Sequence, residues 1–251
     1  MASERDLDFG SAQRDGLRLM FAPLSAFETQ AILLSLQVSL ASLLLTVPCG
    51  VATAWVLARG RFPGKWVVEA FVNLPLVLPP VVTGLALLIV FGARGPVGGF
   101  LRDAFGLTLA FSWMGAAVAC AVMAFPLVVR PVRLAFEAVD RRLEQAASTL
   151  GAAPLSVFVR ITLPLALPGI LAGALLGFAR AFGEFGATVT FAGSIPGETQ
   201  TLPVAIYTSL QRANGETAAL RLAGFSVLVS LGALVVTEAL NRRAQKGRPA
   251  E

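Results

Sequence analysis

Apolar residues run along the chain in five blocks long enough to cross a bilayer, at roughly 29–58, 67–92, 109–130, 163–192 and 218–240. A spanning helix needs about 20 such residues, because in hydrocarbon the backbone must satisfy its own hydrogen bonds. The blocks predict an all-α integral membrane protein with five transmembrane helices in a domain 29–240, preceded by a segment 1–28 and followed by a tail 241–251. The pattern is interrupted most clearly between the third and fourth blocks, where LEQAASTLGAAPLSVFVRITLPLALPG runs from Leu143 to Gly169. Leu143, Ala146, Ala147 and Leu150 recur there at helical spacing, and Gly151 stands where a helix would stop. A short helix with a narrow apolar stripe is expected within a loop at 140–161. Leu155, Val157, Phe158, Val159 and Ile161 give a second apolar patch before Pro164.

Cations give the blocks a sidedness. Arg59, Arg61 and Lys65 follow the first block. Arg130, Arg133, Arg141, Arg142 and Arg160 gather around the third loop, and Arg242, Arg243, Lys246 and Arg248 lie in the tail. The alternate loops hold only Arg94, Arg102 and Arg212. The positive-inside rule makes the three cation-rich regions cytoplasmic, so the N-terminus is expected outside and the C-terminus in the cytosol. Composition agrees with a bilayer: 56% of residues are hydrophobic, 14% are charged and the mean hydropathy is +0.75. The net charge of +5 does not point to nucleic acid, because the cations are spread over short loops instead of one face. With no histidine, and with Cys49 and Cys120 each inside an apolar block, no Cys/His metal site, His-dependent triad or structural disulfide is expected. The first twenty residues lack the apolar core of a signal peptide, which leaves targeting to the first span.

The interrupting loop carries a resemblance. Ala146, Ala147, Gly151, Ile161, Leu163 and Pro164 fall on the spacing of Glu-Ala-Ala, three residues, Gly, nine residues, Ile-x-Leu-Pro. That is the cytoplasmic signature of the permease subunits of bacterial ATP-binding-cassette importers. The departure is at the glutamate, where Gln145 stands with Glu144 just before it. The resemblance implies the type I importer permease fold, in which this segment is a coupling helix seated in a groove of the ATPase. It also implies a homodimer around a central pathway in the bacterial inner membrane, two copies of a cytoplasmic ATPase that bind ATP and Mg, a periplasmic binding protein, and no cofactor in this chain. RGRFPGK, NLPLVLPPVVTG, LEQAASTLGA, ARAFGEFGATVTF and IPGETQTLP, spread from Arg59 to Pro203, resemble the molybdate permease subunits more narrowly. Sulfate or tungstate permeases are the alternative within the class, and IPGETQTLP tilts the reading to molybdate. Transport by alternating access, with a periplasmic molybdate-binding protein as donor, follows from the same resemblance.

Further candidates lie in the blocks themselves. Asn73, Pro75, Pro79 and Pro80 predict a bent or broken second span, either a kinked packing helix or a wall of the pathway. Gly169, Gly173 and Gly177 recur every four residues and offer one face to a close neighbour. Arg180 and Glu184 sit inside the fourth block, where an ionised side chain costs about 2.5–3.5 kcal/mol. An Arg-before-Glu pair on a helix returns only about 0.2–0.5 kcal/mol, so the two are expected to face a water-filled cavity or another subunit, or to tie helices together. As pathway residues, Arg180 would lower the barrier to a doubly charged oxyanion and Glu184 would limit how tightly it sticks. Gly183 and Gly186 would permit an unwound turn at a gate, with Thr188 and Thr190 as neutral donors. In the outward loop SIPGETQTLP, residues Gly197, Glu198, Thr199 and Thr201 form either a turn that re-enters toward a short helix ending near Gln211, or a segment that contacts the binding protein or closes the outer gate. GRFPGKW resembles a phosphate loop but has one residue too few between its glycines and Trp66 in place of Ser or Thr, so this chain has no nucleotide site. Lys65 and Glu69 are expected to pair at the surface. Rival classes fit less well: an intramembrane enzyme lacks His, a metal cluster and Gly-x-Ser-x-Gly, and an ion-coupled secondary transporter would have only one carboxylate in its core.

Overall fold

The computed structural model describes residues 23–213 and 215–246. The segment expected to face outward and the last five residues of the tail lie outside those limits, apart from residues 23–28. Every regular element among the described residues is helical. In chain order these are α1 (Ala26–Arg59), α2 (Lys65–Val77), α3 (Pro80–Phe91), α4 (Pro96–Phe105), α5 (Trp113–Glu137), α6 (Arg141–Thr149), α7 (Pro154–Val157), a π-helical turn (Phe158–Thr162), α8 (Leu163–Phe182), α9 (Gly186–Phe191), α10 (Leu202–Leu210) and α11 (Glu216–Lys246). The all-α membrane architecture expected from the blocks is therefore present. Ser25 and Glu28 close a reciprocal capping box at the start of α1, and the Ser112 hydroxyl accepts from Gly115 N at the start of α5.

Four helical runs are long and apolar enough to cross a membrane: α1, α5, the continuous run Pro154–Phe182, and Glu216–Val236 within α11. The second block departs from a straight span. Its two arms, α2 and α3, meet at a bend of 115°, so the pair is either a broken fifth span or a re-entrant hairpin. The cause is local: Leu78 precedes a proline and is extended, and Pro80 can only begin a new helix. The fourth block is also two helices, since α8 stops at Gly183 and α9 starts at Gly186. At its other end this span begins at Pro154, inside the segment expected to be loop. Arg130 and Arg133 likewise belong to the last turns of α5 and not to the loop beyond it.

Three glycines set the central packing. A Cβ on Gly169 would lie 2.3 Å from Ala135 Cβ, one on Gly173 3.0 Å from the Val128 carbonyl, and one on Gly177 2.6 Å from Val128 Cγ2. The backbones of α5 and α8 therefore approach as closely as they do only because these side chains are absent. Around that seam, Val128, Val129, Val132 and Phe136 of α5 pack with Ala54 and Leu57 of α1 and Ala166 and Ile170 of α8. A second close approach joins α3 to α9: a Cβ on Gly84 would stand 2.8 Å from the Ala187 carbonyl, and one on Gly186 2.7 Å from Pro80 Cβ. Large apolar side chains left outside, such as Val77, Leu228 and Val235, are ordinary for a chain whose solvent is lipid.

Val at position 173 should force α5 and α8 apart, at an overpacking cost of about 1–3 kcal/mol. Thermal unfolding of the detergent-solubilised chain should register Gly173→Val as a lowered Tm. Gly224→Ala, where an added Cβ meets nothing within 4 Å, should leave it unchanged or raise it.

Candidate functional site

The cation-rich end of the bundle carries the segment with the importer signature. Asp140 caps α6 by accepting from Arg142 N, and the helix ends as Gly151 turns left-handed at φ +84°. Ala152 N then donates back to the Ala147 carbonyl at 3.0 Å. None of the residues of α6 is buried. Leu143 and Leu150 of the apolar stripe are 49% and 88% exposed, as is Leu155 of the second patch at 73%, so the stripe's leucines have no cover among the described residues. Gln145 and Ala146 are exposed with it and Ala147 is half-buried, while Ile161 and Leu163 are half-buried and Pro164 exposed at the foot of α8.

Glu144 and Gln145 both line the open cavity at this end. Gln145 is exposed, whereas Glu144 is half-buried and its Oε1 accepts from Arg59 Nη2 at 2.8 Å and from Thr162 Oγ1 at 2.7 Å. Arg59 is the last residue of α1, and the same Nη2 also reaches the Val139 carbonyl at 3.5 Å. Beneath this cluster the Phe158 ring meets Trp55 edge-on at 5.7 Å and Phe136 at 6.1 Å. An open cavity of about 620 Å³ lies here, lined by Trp55, Arg59, Glu144, Gln145, Phe158 and Thr162 among others.

The second candidate cluster sits at the break between α8 and α9. Arg180 Nη1 and Glu184 Oε2 form an ion pair at 2.5 Å, with side chains 27% and 1% exposed. The other oxygen of Glu184 accepts from Ala187 N at 2.8 Å. The carboxylate is thus fully partnered, by a cation on one side and the first turn of α9 on the other, which is how a charge is kept at that depth. Gly183 is exposed and Gly186 carries the close approach to Pro80. The two threonines do not stand as free donors. Thr188 Oγ1 donates to the Glu184 and Phe185 carbonyls and Thr190 Oγ1 to the Gly186 carbonyl, so each single hydroxyl proton is spent on its own helix.

In the loop before α10, expected to face outward, Gly197 has φ +76° and is exposed, as is Glu198. Thr199 and Thr201 are buried instead. Thr199 Oγ1 accepts from Ile195 N at 2.9 Å and staples the turn, and Thr201 packs at the start of α10. Of the four loop residues singled out by sequence, Glu198 is the polar side chain presented outward. Glu69 does not pair with Lys65: its partner is Arg133 on α5, at 2.8 Å. Asn73 accepts from Arg130 at 2.7 Å on the same seam, so α2 is tied to α5 by polar bonds at the cation-rich end. Sequence reading missed these ties, as it missed Arg59 and Thr162. It also missed Glu28, buried at the top of α1 and paired with Arg221 of α11 at 3.2 Å. The advance signal for that last pair was an ionisable residue near one end of each of two spans.

The bundle thus presents an uncovered apolar stripe at its cation-rich end, a charged break between α8 and α9, and helices packed through glycine. The chain belongs to the family of inner-membrane components of binding-protein-dependent transport systems, whose pattern matches residues 46–246. Among its relatives, the molybdenum transport system permease protein ModB of Escherichia coli (strain K12) is 53% identical over 223 residues, covering 88% of this chain and 97% of that one. ModB of Haemophilus influenzae is 51% identical over 219 residues, covering 87% and 96%. The fold resembles a solved bacterial ABC transporter involved in import of the acidic polysaccharide alginate, with a TM-score of 0.67 at 18% identity over 93% of this chain and 83% of that one.

Removing Arg180 alone would strand a buried carboxylate, so Arg180→Ala should destabilise the chain by about 3 kcal/mol, the low end for a broken buried pair because Arg180 keeps some water. Removing both charges should cost less than the sum of the single changes, and a double-mutant cycle on unfolding free energies in detergent measures that coupling.

Proposed function

We propose that this permease carries molybdate inward across the bacterial inner membrane as the non-catalytic, pore-forming part of an ATP-driven importer. A homodimer would enclose the pathway, two cytoplasmic ATPase subunits would bind ATP and Mg, and a periplasmic molybdate-binding protein would deliver the anion. The observation that carries the reading is α6: a helix capped at both ends, with an uncovered apolar stripe and no buried residue, at the cation-rich end of the bundle. Such a stripe is stable in water only at a cost and is relieved by a protein groove. The cargo rests on the molybdenum permeases that align over nearly their whole length.

The pathway reading of Arg180 follows from its pairing. In this conformation its guanidinium is engaged by Glu184, so a doubly charged oxyanion meets a neutral pair and not a free cation. Opening α9 away from α8 would loosen that pair and lend the cation to the anion, with Glu184 ready to recover it and release the cargo. Weak, transient binding of this kind is what conduction requires. Gly183, Gly186, Thr188 and Thr190 are the residues that such an opening would rearrange, and Gly197 and Glu198 are the outward surface available to the binding protein.

The test is ATP-dependent uptake of radiolabelled molybdate into vesicles holding the chain, its ATPase and its binding protein, with sulfate and tungstate as competitors. Gly151→Asp suits it, since an added Cβ there meets nothing within 4 Å and, although φ +84° strains any side chain, Asp is among the residues that visit that region most readily. The variant should insert normally, place a charge on the docking face and reduce uptake at least tenfold. Sulfate uptake in place of molybdate would change the cargo. No ATP-dependent oxyanion uptake, or none of the expected loss on Gly151→Asp, would contradict the reading.

A further inference from the structure

The link between α6 and the spanning run that follows it is weak as a chain. Four residues, Leu150–Ala153, join them around a left-handed glycine, and no buried residue of α6 holds the helix against the bundle. A push on α6 would bend such a joint before it moved a span. Polar bonds supply what the joint lacks. We propose that Arg59, Glu144 and Thr162 are positioning residues of the coupling step, a latch that fixes α6 against the ends of α1 and α8 so that a displacement of α6 is passed to both. This rests on the reading of α6 as the helix that docks to the ATPase.

The geometry is specific. One oxygen of Glu144 takes both bonds, from Arg59 at 2.8 Å and Thr162 at 2.7 Å, so the carboxylate joins the last residue of α1 to the last residue of the π-helical turn before α8. The side chains of Arg59 and Glu144 are 14% and 21% exposed, sheltered enough for charge-assisted bonds to count. Arg59 also touches the Val139 carbonyl on the link into α6, so it holds the coupling helix at its entry and its first turn together. Thr162 is buried, and the π turn that carries it stands on Phe158, wedged between Trp55 of α1 and Phe136 of α5. A π turn inside an otherwise α-helical run rotates the residues after it, and such turns recur at functional positions. The apolar stripe of α6 stays outside the latch, free for a partner, while Glu144 on the flank that lines the cavity grips the bundle.

The measurement is molybdate imported per ATP hydrolysed, in vesicles holding the chain with its ATPase and binding protein, together with the amount of ATPase bound. Thr162→Val keeps the shape and removes the donor; Glu144→Gln keeps the shape and removes the charge. Both should retain the ATPase and its hydrolysis while the yield per ATP falls about tenfold, and the double variant should be no worse than Glu144→Gln because both changes act on one carboxylate. Thr162→Ser, which keeps the donor, should restore the yield. Exchange of the charges, Arg59→Glu with Glu144→Arg, should recover more than either change alone. An unchanged yield in Thr162→Val and Glu144→Gln with the ATPase bound overturns the latch, as does a loss that merely follows loss of bound ATPase. Leu150→Asp separates the two levels: it should release the ATPase, and an ATPase still bound would remove the docking reading and the latch with it.

Discussion

The contact on which the arrangement depends is the backbone-close seam between α5 and α8. In lipid there is little hydrophobic gain from joining two apolar helices, so close packing has to come from shape, and Gly169, Gly173 and Gly177 provide it. Because Gly169 and Gly177 would collide with Ala135 and Val128 if they carried a Cβ, the register of the two helices is fixed to within a side chain. One end of α8 then falls beside the π turn and the coupling helix, and the other ends at Gly183 beside the Arg180–Glu184 pair. A close-packed α5–α8 body therefore spans the distance between the exposed stripe of α6 and the break where charge sits deep in the chain.

Charge placement follows the same logic at both ends. Every ion pair that joins separate helices is found near a helix end: Arg59 with Glu144, Arg133 with Glu69, and Arg221 with Glu28, among the described residues. Near the ends a pair keeps some access to water or headgroups, and the penalty for desolvating it is reduced. Glu28 and Glu184 are the deeply buried carboxylates, and each is held by a guanidinium and a backbone N–H, Glu28 by Arg221 and Ser25 N and Glu184 by Arg180 and Ala187 N. That pattern separates ties that hold helices together from a pair placed where the helix is interrupted.

The sequence made the membrane character, the main spans and the short helix α6 legible, because each is written in local periodicity: apolar runs for the spans, a short stripe ended by Gly151 for α6. Prolines at 79 and 80 signalled a break in the second span, but its 115° angle depends on how α3 settles against α9, through Gly84 and Gly186, a contact no local pattern reveals. Arg59 and Glu144 lie 85 residues apart, so their bond could not be read from spacing, and Arg59 looked like one more topology cation. The misreading of Thr188 and Thr190 as donors has a different origin. A hydroxyl has one proton, and a helical threonine commonly gives it to the carbonyl a turn back, which the sequence does not record.

The central claim is that α6 leaves its apolar stripe open for the ATPase while its other side is fastened to the spans. Cysteine cross-linking tests it most directly: Leu150→Cys, in a background with Cys49→Ser and Cys120→Ala, treated with a short thiol cross-linker in inner-membrane vesicles containing the ATPase. The account predicts a covalent adduct between this chain and the ATPase at Leu150→Cys and none from a cysteine placed at Thr162 on the fastened side. An adduct at Thr162→Cys with none at Leu150→Cys would mean that the helix faces the other way and that the account is wrong.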